Sequence, residues 1–198
     1  MGSRRRWMPG AVLLGALLAS TSCTLPRRQV MLVLSTDMEC AVFDRFEVKL
    51  FRGPGDTVVW TRTFLRNDCP AVGASIPRAP LARSNGNDPG VPYRLGIVDE
   101  RRSSDRVRIE VVARRPDAQV MEAKAETDFV DGQVYAVPME LAQACLTPIQ
   151  CPATFACRRD SAGNAACGSV YRTPGTLGTF TGTSSLTADE TVDLDDGP

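Results

Sequence analysis

Four cysteines crowd the C-terminal part of the sequence at the spacing Cys145-x5-Cys151-x5-Cys157-x9-Cys167. So short a run cannot bury a hydrophobic core of its own, so covalent cross-links must hold its shape. The chain has 7 cysteines, the others being Cys23, Cys40 and Cys69. An odd number in an exported protein leaves one thiol to be explained. No two are spaced C-x-x-C, which points away from a thioredoxin-type redox pair and from a common zinc knuckle. If Cys23 is set apart, the remaining six can form three bridges. Spacing does not choose among the fifteen connectivities. The set expected here is Cys40–Cys69, Cys145–Cys157 and Cys151–Cys167. The first of these closes a loop of roughly 30 residues, which stabilises by about 3 to 4 kcal/mol through the entropy of the unfolded chain.

The N-terminus explains why Cys23 stands apart. Arg4, Arg5 and Arg6 are followed by the apolar run Ala11 to Ala19, by Ser20, Thr21 and Ser22, and then by Cys23. A basic stretch, a short apolar stretch and small residues before a cleavage point make up a secretory signal. The apolar run of about 9 residues falls well short of the roughly 20 that a helix needs to cross a bilayer. The arrangement resembles the bacterial lipoprotein signal, in which the cysteine at the cleavage point is lipid-modified. Ser22 and Thr21 suit the two positions before it, whereas Ser20 departs from the aliphatic residue that family prefers. The resemblance implies a lipid on Cys23, and two or three acyl chains give stable anchoring where one does not. Retention at the inner membrane is associated with Asp after the cysteine; Thr24 stands there, which implies the outer membrane. Ser20 and Ser22 also suit an ordinary cleaved signal. Ser3 to Met8 loosely approximates a twin-arginine motif, and a charged leader in an Arg-rich chain accounts for it equally well.

Residues 1–22 are thus expected to be a signal peptide and 23–28 a tether, leaving roughly 175 residues for one domain with appendages. Removing Arg4, Arg5 and Arg6 takes the balance from 23 basic against 23 acidic residues to 20 against 23. No basic stripe with interleaved aromatics occurs, so nucleic acid is not an expected partner.

Residues 29–142 read as strands. Phe46, Val48 and Leu50 alternate with Glu47 and Lys49, the period of a half-buried strand. Thr57 to Phe64 is β-branched and aromatic and follows a Gly-Pro-Gly-Asp turn. Val30 to Leu34, Val72 to Ile76, Tyr93 to Ile97, Val107 to Val111 and Val134 to Leu141 complete the set, with Pro138 placing the last at a sheet edge. Asp117 to Glu126 is ambiguous. Its Ala, Glu and Lys content favours a helix, but Met121, Ala123 and Ala125 alternate with Glu122, Lys124 and Glu126, and the strand reading is preferred. The expected fold is therefore all-β, an antiparallel two-sheet sandwich. A small disulfide-stapled module follows over 143–168, then a disordered acidic tail over 169–198.

The chemistry-bearing residues are sparse. There is no histidine, which excludes Ser-His-Asp and Cys-His catalysis and imidazole metal sites. No Gly-rich phosphate loop occurs. Carboxylates could pair as Asp99 with Glu100, Asp37 with Glu39, or Glu122 with Glu126, but Glu122 and Glu126 fall on an apparent solvent face and Asp99-Glu100 begins a turn before Arg101. Asn85, Asn87 and Asp88, or Asp193, Asp195 and Asp196, offer oxygens without the pattern of a calcium loop. The sequence thus predicts no enzyme, no cofactor and no metal. The long stretch Arg78 to Val91 is a candidate contact loop. In the four-cysteine module, Thr154, Phe155, Arg158 and Arg159 show no specific pattern, so a clasp is favoured over an inhibitor-like binding knob; Phe155 and Tyr171 are the residues most suited to a contact.

The whole order of parts resembles envelope lipoproteins of myxobacteria-type bacteria. The resemblance rests on the strand ending Ser35-Thr36-Asp37, on Phe46 to Leu50, on the Phe129 to Gly132 turn and on the cysteine run opening at Leu141 to Cys145. It carries no activity. The sandwich is similar to immunoglobulin, fibronectin-type and transthyretin-like modules, which commonly bind or space. Together these imply a non-enzymatic lipoprotein, structural or binding, held at the membrane and contacting a protein or glycan. A secreted inhibitor or ligand-binding protein acting through the cysteine module is the alternative.

Overall fold

The computed structural model describes residues 28–53, 57–69, 76–83, 92–102, 104–178 and 188–194. Cys23, Asn85, Asn87, Asp88, Asp195 and Asp196 lie outside them, as do most of the expected strand Val72 to Ile76 and of the contact loop Arg78 to Val91.

Among the described residues the chain is all-β. The strands are β1 (Gln29–Thr36), β2 (Arg45–Arg52), β3 (Val58–Arg66), β4 (Arg78–Ala79), β5 (Ala82–Arg83), β6 (Tyr93–Val98), β7 (Arg106–Arg114), β8 (Gln119–Asp128), β9 (Val134–Leu141), β10 (Phe155–Arg159), β11 (Ala165–Ser169), β12 (Tyr171–Arg172) and β13 (Glu190–Asp193). They form a sandwich. One sheet runs β12-β8-β7-β2-β3-β4; the other runs β13-β6-β1, with β9 on the far side of β1 and β5 continuing beside its end.

Alternation decides which side of each strand faces inward. Phe46, Val48 and Leu50 of β2 are buried, as are Val107, Ile109 and Val111 of β7; they meet Val30, Leu32 and Leu34 of β1 and Leu95 and Ile97 of β6. The rings of Phe46, Phe64 and Tyr93 pack with centroids 4.9–5.5 Å apart at one end of this core. The ambiguous segment is strand β8, antiparallel to β7 from Arg106↔Asp128 to Ala113↔Met121. Its helix-favouring composition yields because Met121, Ala123 and Ala125 all reach the core only at period two. Phe129 then leaves the large sheet, Gly132 turns the chain at φ 69°, and β9 enters the small one.

Two expectations need correction. The large sheet's long strands pair antiparallel, but β1 and β9 run parallel along their whole length, from Gln29↔Val134 to Thr36↔Leu141. The small sheet is therefore mixed, joining the first strand of the domain to its last. The segment expected to be a disordered tail also contributes structure. Tyr171 and Arg172 extend the large sheet beside Glu126 and Thr127, and β13 adds a parallel edge strand to β6. Val170, Val192 and Leu194 are buried. Three well-spaced apolar side chains suffice to dock a polar segment on an existing sheet edge, which composition averaged over 30 residues conceals.

Arg28 is buried and its guanidinium meets Asp99 at 3.3 Å, Asp105 at 2.8 Å and Asp131 at 3.2 Å. It fixes the start of β1 to two neighbouring loops.

Three disulfides hold the molecule. Cys40–Cys69 joins the β1–β2 connection to the end of β3, with Cα atoms 5.4 Å apart. Cys145–Cys157 ties a 3-10 turn, Gln143–Leu146, in which Cys145 is buried, to β10. Cys151–Cys167 ties the loop before β10 to β11. Strands β10 and β11 form a hairpin whose turn is closed by Asp160: its Oδ1 accepts hydrogen bonds from the backbone N–H groups of Ala162 (2.9 Å) and Asn164 (2.8 Å).

Candidate functional site

The two strands β8 and β9 lie on one open side of the sandwich, and the cysteine module covers it. Asp37 makes the junction. One of its oxygens accepts the backbone N–H of Gln143 at 2.6 Å, and the other accepts from Arg159 at 3.3 Å. Arg159 also donates to Glu140 at 2.5 Å. An ion-paired Arg159 and the Cys145–Cys157 bridge therefore set β10 across the gap between the sheets.

Beneath β10 lies a cleft of about 460 Å³. It is lined by Ser35, Ala123, Lys124, Pro138, Met139 and Glu140 of the sandwich strands, by Cys157, Arg158 and Arg159 of β10, and by Arg172 of β12. The volume falls within the range of small-molecule pockets, roughly 300 to 1,000 Å³.

The charges in this cleft are not balanced. Lys124 is held by Glu110 at 3.3 Å and Glu122 at 3.2 Å, and Arg159 by Asp37 and Glu140. Arg158 and Arg172 have no carboxylate partner among the described residues. The Arg158 guanidinium donates to the carbonyl of Ser169, and the Arg172 Nε is buried without a hydrogen-bond partner. Burial, and then the charge of Arg172, push the Arg158 pKa down to about 10; burial also lowers that of Arg172. Both remain cations at neutral pH, brought together in a half-buried setting.

Local sequence explains the placement of Arg158. Across the hairpin it faces Ala166, with Gly168 diagonally beyond. A Cβ on Gly168 would lie 2.8 Å from both Cδ and Nε of Arg158. The missing side chain leaves room for the arginine to lie flat on the neighbouring strand.

The carboxylate pairs considered from sequence are not brought together as acid and base. Asp99 is buried against Arg28, Glu122 binds Lys124, and Glu126 binds Arg106 at 2.8 Å. Glu122 and Glu126 are half-covered by the module rather than facing open solvent. Tyr171 is also committed. Its hydroxyl donates to Asp128 at 2.6 Å, and its ring lies under the Arg106 guanidinium at 4.7 Å. Phe155 is 41% exposed on the module. Cys40, Asp68 and Cys69 cluster within 4.8 Å, but the two sulfurs are bonded to each other and Asp68 pairs with Arg66, so no thiolate is offered to a metal.

Sequence reasoning passed over Arg158 and had no signal for Arg172, because the two meet only when β12 folds back beside β8. Fold and site together define a disulfide-braced β-sandwich whose edge carries a cystine module over a cationic cleft. Neither a protein-family model, a curated protein nor a solved structure matches the chain.

Proposed function

We propose that this chain is a non-enzymatic binding protein of the bacterial cell envelope, anchored by lipid on Cys23. Three disulfides suit an oxidising compartment outside the cytoplasm, and no helix among the described residues is long and apolar enough to cross a membrane. The observation that carries the reading is the cysteine pairing: all six cysteines from Cys40 onward are bonded to one another, which leaves Cys23, at the end of a leader-like stretch, as the one thiol available for a lipid. The cleft supports binding over catalysis. Three of the side chains lining it, Arg158, Arg159 and Arg172, are guanidinium groups, which hold their protons at neutral pH and so orient anions rather than shuttle protons.

Fractionation of bacteria expressing the protein tests the anchor. The native chain is expected in the membrane fraction and resistant to extraction by salt. Cys23→Ala is expected to abolish lipid attachment and leave the unprocessed precursor. Equal recovery of both proteins as soluble, processed chains would remove the anchor from the account.

A further inference from the structure

We infer that the cleft between the sandwich edge and the cysteine module is a binding site for a small organic oxyanion, a carboxylate or phosphate ester, gripped by Arg158 and Arg172. The inference deepens the binding reading above and rests on it.

Arg158 and Arg172 line one cavity without a carboxylate partner, since the one acid in its lining, Glu140, is taken by Arg159; the two repel each other and lose hydration on burial. A structure tolerates this where a mobile anion supplies the missing charge. Guanidinium forks match the oxygens of carboxylate and phosphate in bidentate geometry. The Arg158 fork is pre-positioned on Gly168 by its bond to Ser169. The Arg172 guanidinium lines the same cleft, and its sealed Nε has no hydrogen-bond partner. Between them and the sandwich wall, Ala123, Pro138, Met139 and the Cys157 sulfur provide apolar surface for the body of the ligand, and Ser35 supplies a hydroxyl.

The position of the cleft favours a soluble anion over a lipid headgroup. It opens beside Ser35 and Glu140, at the far ends of the parallel strands β1 and β9. Ser35 lies six residues along the strand from Gln29, so the cleft stands roughly 20 Å beyond the end where the tether enters. That distance from the tethered end of β1 favours a ligand taken from solution.

The test uses the whole mature protein in detergent, with phenyl phosphate, benzoate and inorganic phosphate as probes at constant ionic strength. Thermal unfolding and calorimetric titration read the binding. Phenyl phosphate or benzoate is expected to raise the melting temperature saturably, and to bind more tightly than inorganic phosphate because the apolar wall is used. Arg172→Gln is expected to weaken binding by about tenfold or more, the scale of a lost charge-assisted hydrogen bond, without lowering the melting temperature of the ligand-free protein. Gly168→Ala, which displaces Arg158 while keeping every charge, is expected to weaken it too. A response to salt alone, or binding in both Arg172→Gln and Gly168→Ala as tight as in the native protein, would overturn the site. A response only to phosphatidylglycerol added to the micelles would overturn the soluble ligand in favour of a headgroup. Neither failure touches the anchor on Cys23, which fractionation decides separately.

Discussion

Arg158 lies across Gly168, so close that a methyl group on the glycine would sit 2.8 Å from the arginine's Cδ and Nε. The contact links the second half of the cysteine module to the charge of the cleft. Because the atoms in the way belong to a flexible side chain, Gly168→Ala is expected to change stability by less than about 1 kcal/mol, the size of an ordinary surface substitution in a strand. Its effect should instead appear as a moved Arg158 in a crystal structure of the variant. A loss of several kcal/mol in urea unfolding would mean that Gly168 serves the hairpin backbone rather than the arginine.

The bridges should be unequal in their consequences. Removing Cys40–Cys69 as the double alanine variant is expected to cost about 3 to 4 kcal/mol in urea unfolding, with the sandwich still able to fold around its core. The module has little apolar surface of its own, so removing Cys145–Cys157 and Cys151–Cys167 together should unfold it while β1 to β9 persist. Limited trypsin digestion followed by mass spectrometry checks this. Early cleavage after Arg158 or Arg159 is expected in the doubly unbridged variant and not in the native protein.

Arg66 is fully buried. It donates to the carbonyls of Met38 (3.0 Å) and Phe43 (3.3 Å), binds Asp68 at 2.7 Å and lies 4.5 Å from the centre of the Phe43 ring. It thereby holds the same loop that Cys40 pins. Arg66→Ala is expected to destabilise by about 2 to 3 kcal/mol, the cost of leaving the carbonyls of buried Met38 and Phe43 without their donor. Chemical denaturation measures it, and a change below about 1 kcal/mol would show that the disulfide alone orders the loop.

Acid should loosen the fold at defined points. The side-chain hydrogen bond from Arg45 lowers the Asp44 pKa, against the opposing effect of burial. For Asp128 burial is the largest single influence and acts upward, but the hydrogen bonds from Tyr171 and Arg106 together outweigh it and the pKa is lowered. Both carboxyls therefore bind protons less readily folded than unfolded. Their contribution to stability is complete above the ordinary aspartate value of 3.8 and is lost as pH falls through the lowered folded values. Melting temperature should be flat from about pH 7 to 5 and fall below about pH 4. Asp128→Asn should lower stability at neutral pH and flatten part of the acid slope; an unchanged slope would place the acid sensitivity elsewhere.

The parts of this fold written in local alternation were legible without coordinates. Phe46, Val48 and Leu50 identify β2, and Met121, Ala123 and Ala125 identify β8 against their own helix propensity, because only one period puts every apolar side chain on one face. What depends on distant partners was not. Arg28 and Arg66 read as ordinary charges, since Asp99 lies 71 residues from Arg28 and the carbonyls of Met38 and Phe43 carry no sequence signature. The same holds for Arg172 beside Arg158 and for Val192 and Leu194 under the sheet edge. Hydrophobic pattern is a local code; charge pairing and strand docking are settled by the tertiary arrangement.

The proposed anchor rests on one cysteine, Cys23, left outside the three bridges. The intact mass of protein extracted in detergent and alkylated without reduction tests this most directly. The predicted result is the chain from Cys23 plus a diacylglycerol and acyl groups, with no alkylated thiol. A lipid-free chain bearing one alkylated thiol would contradict it and take the membrane out of the protein's function.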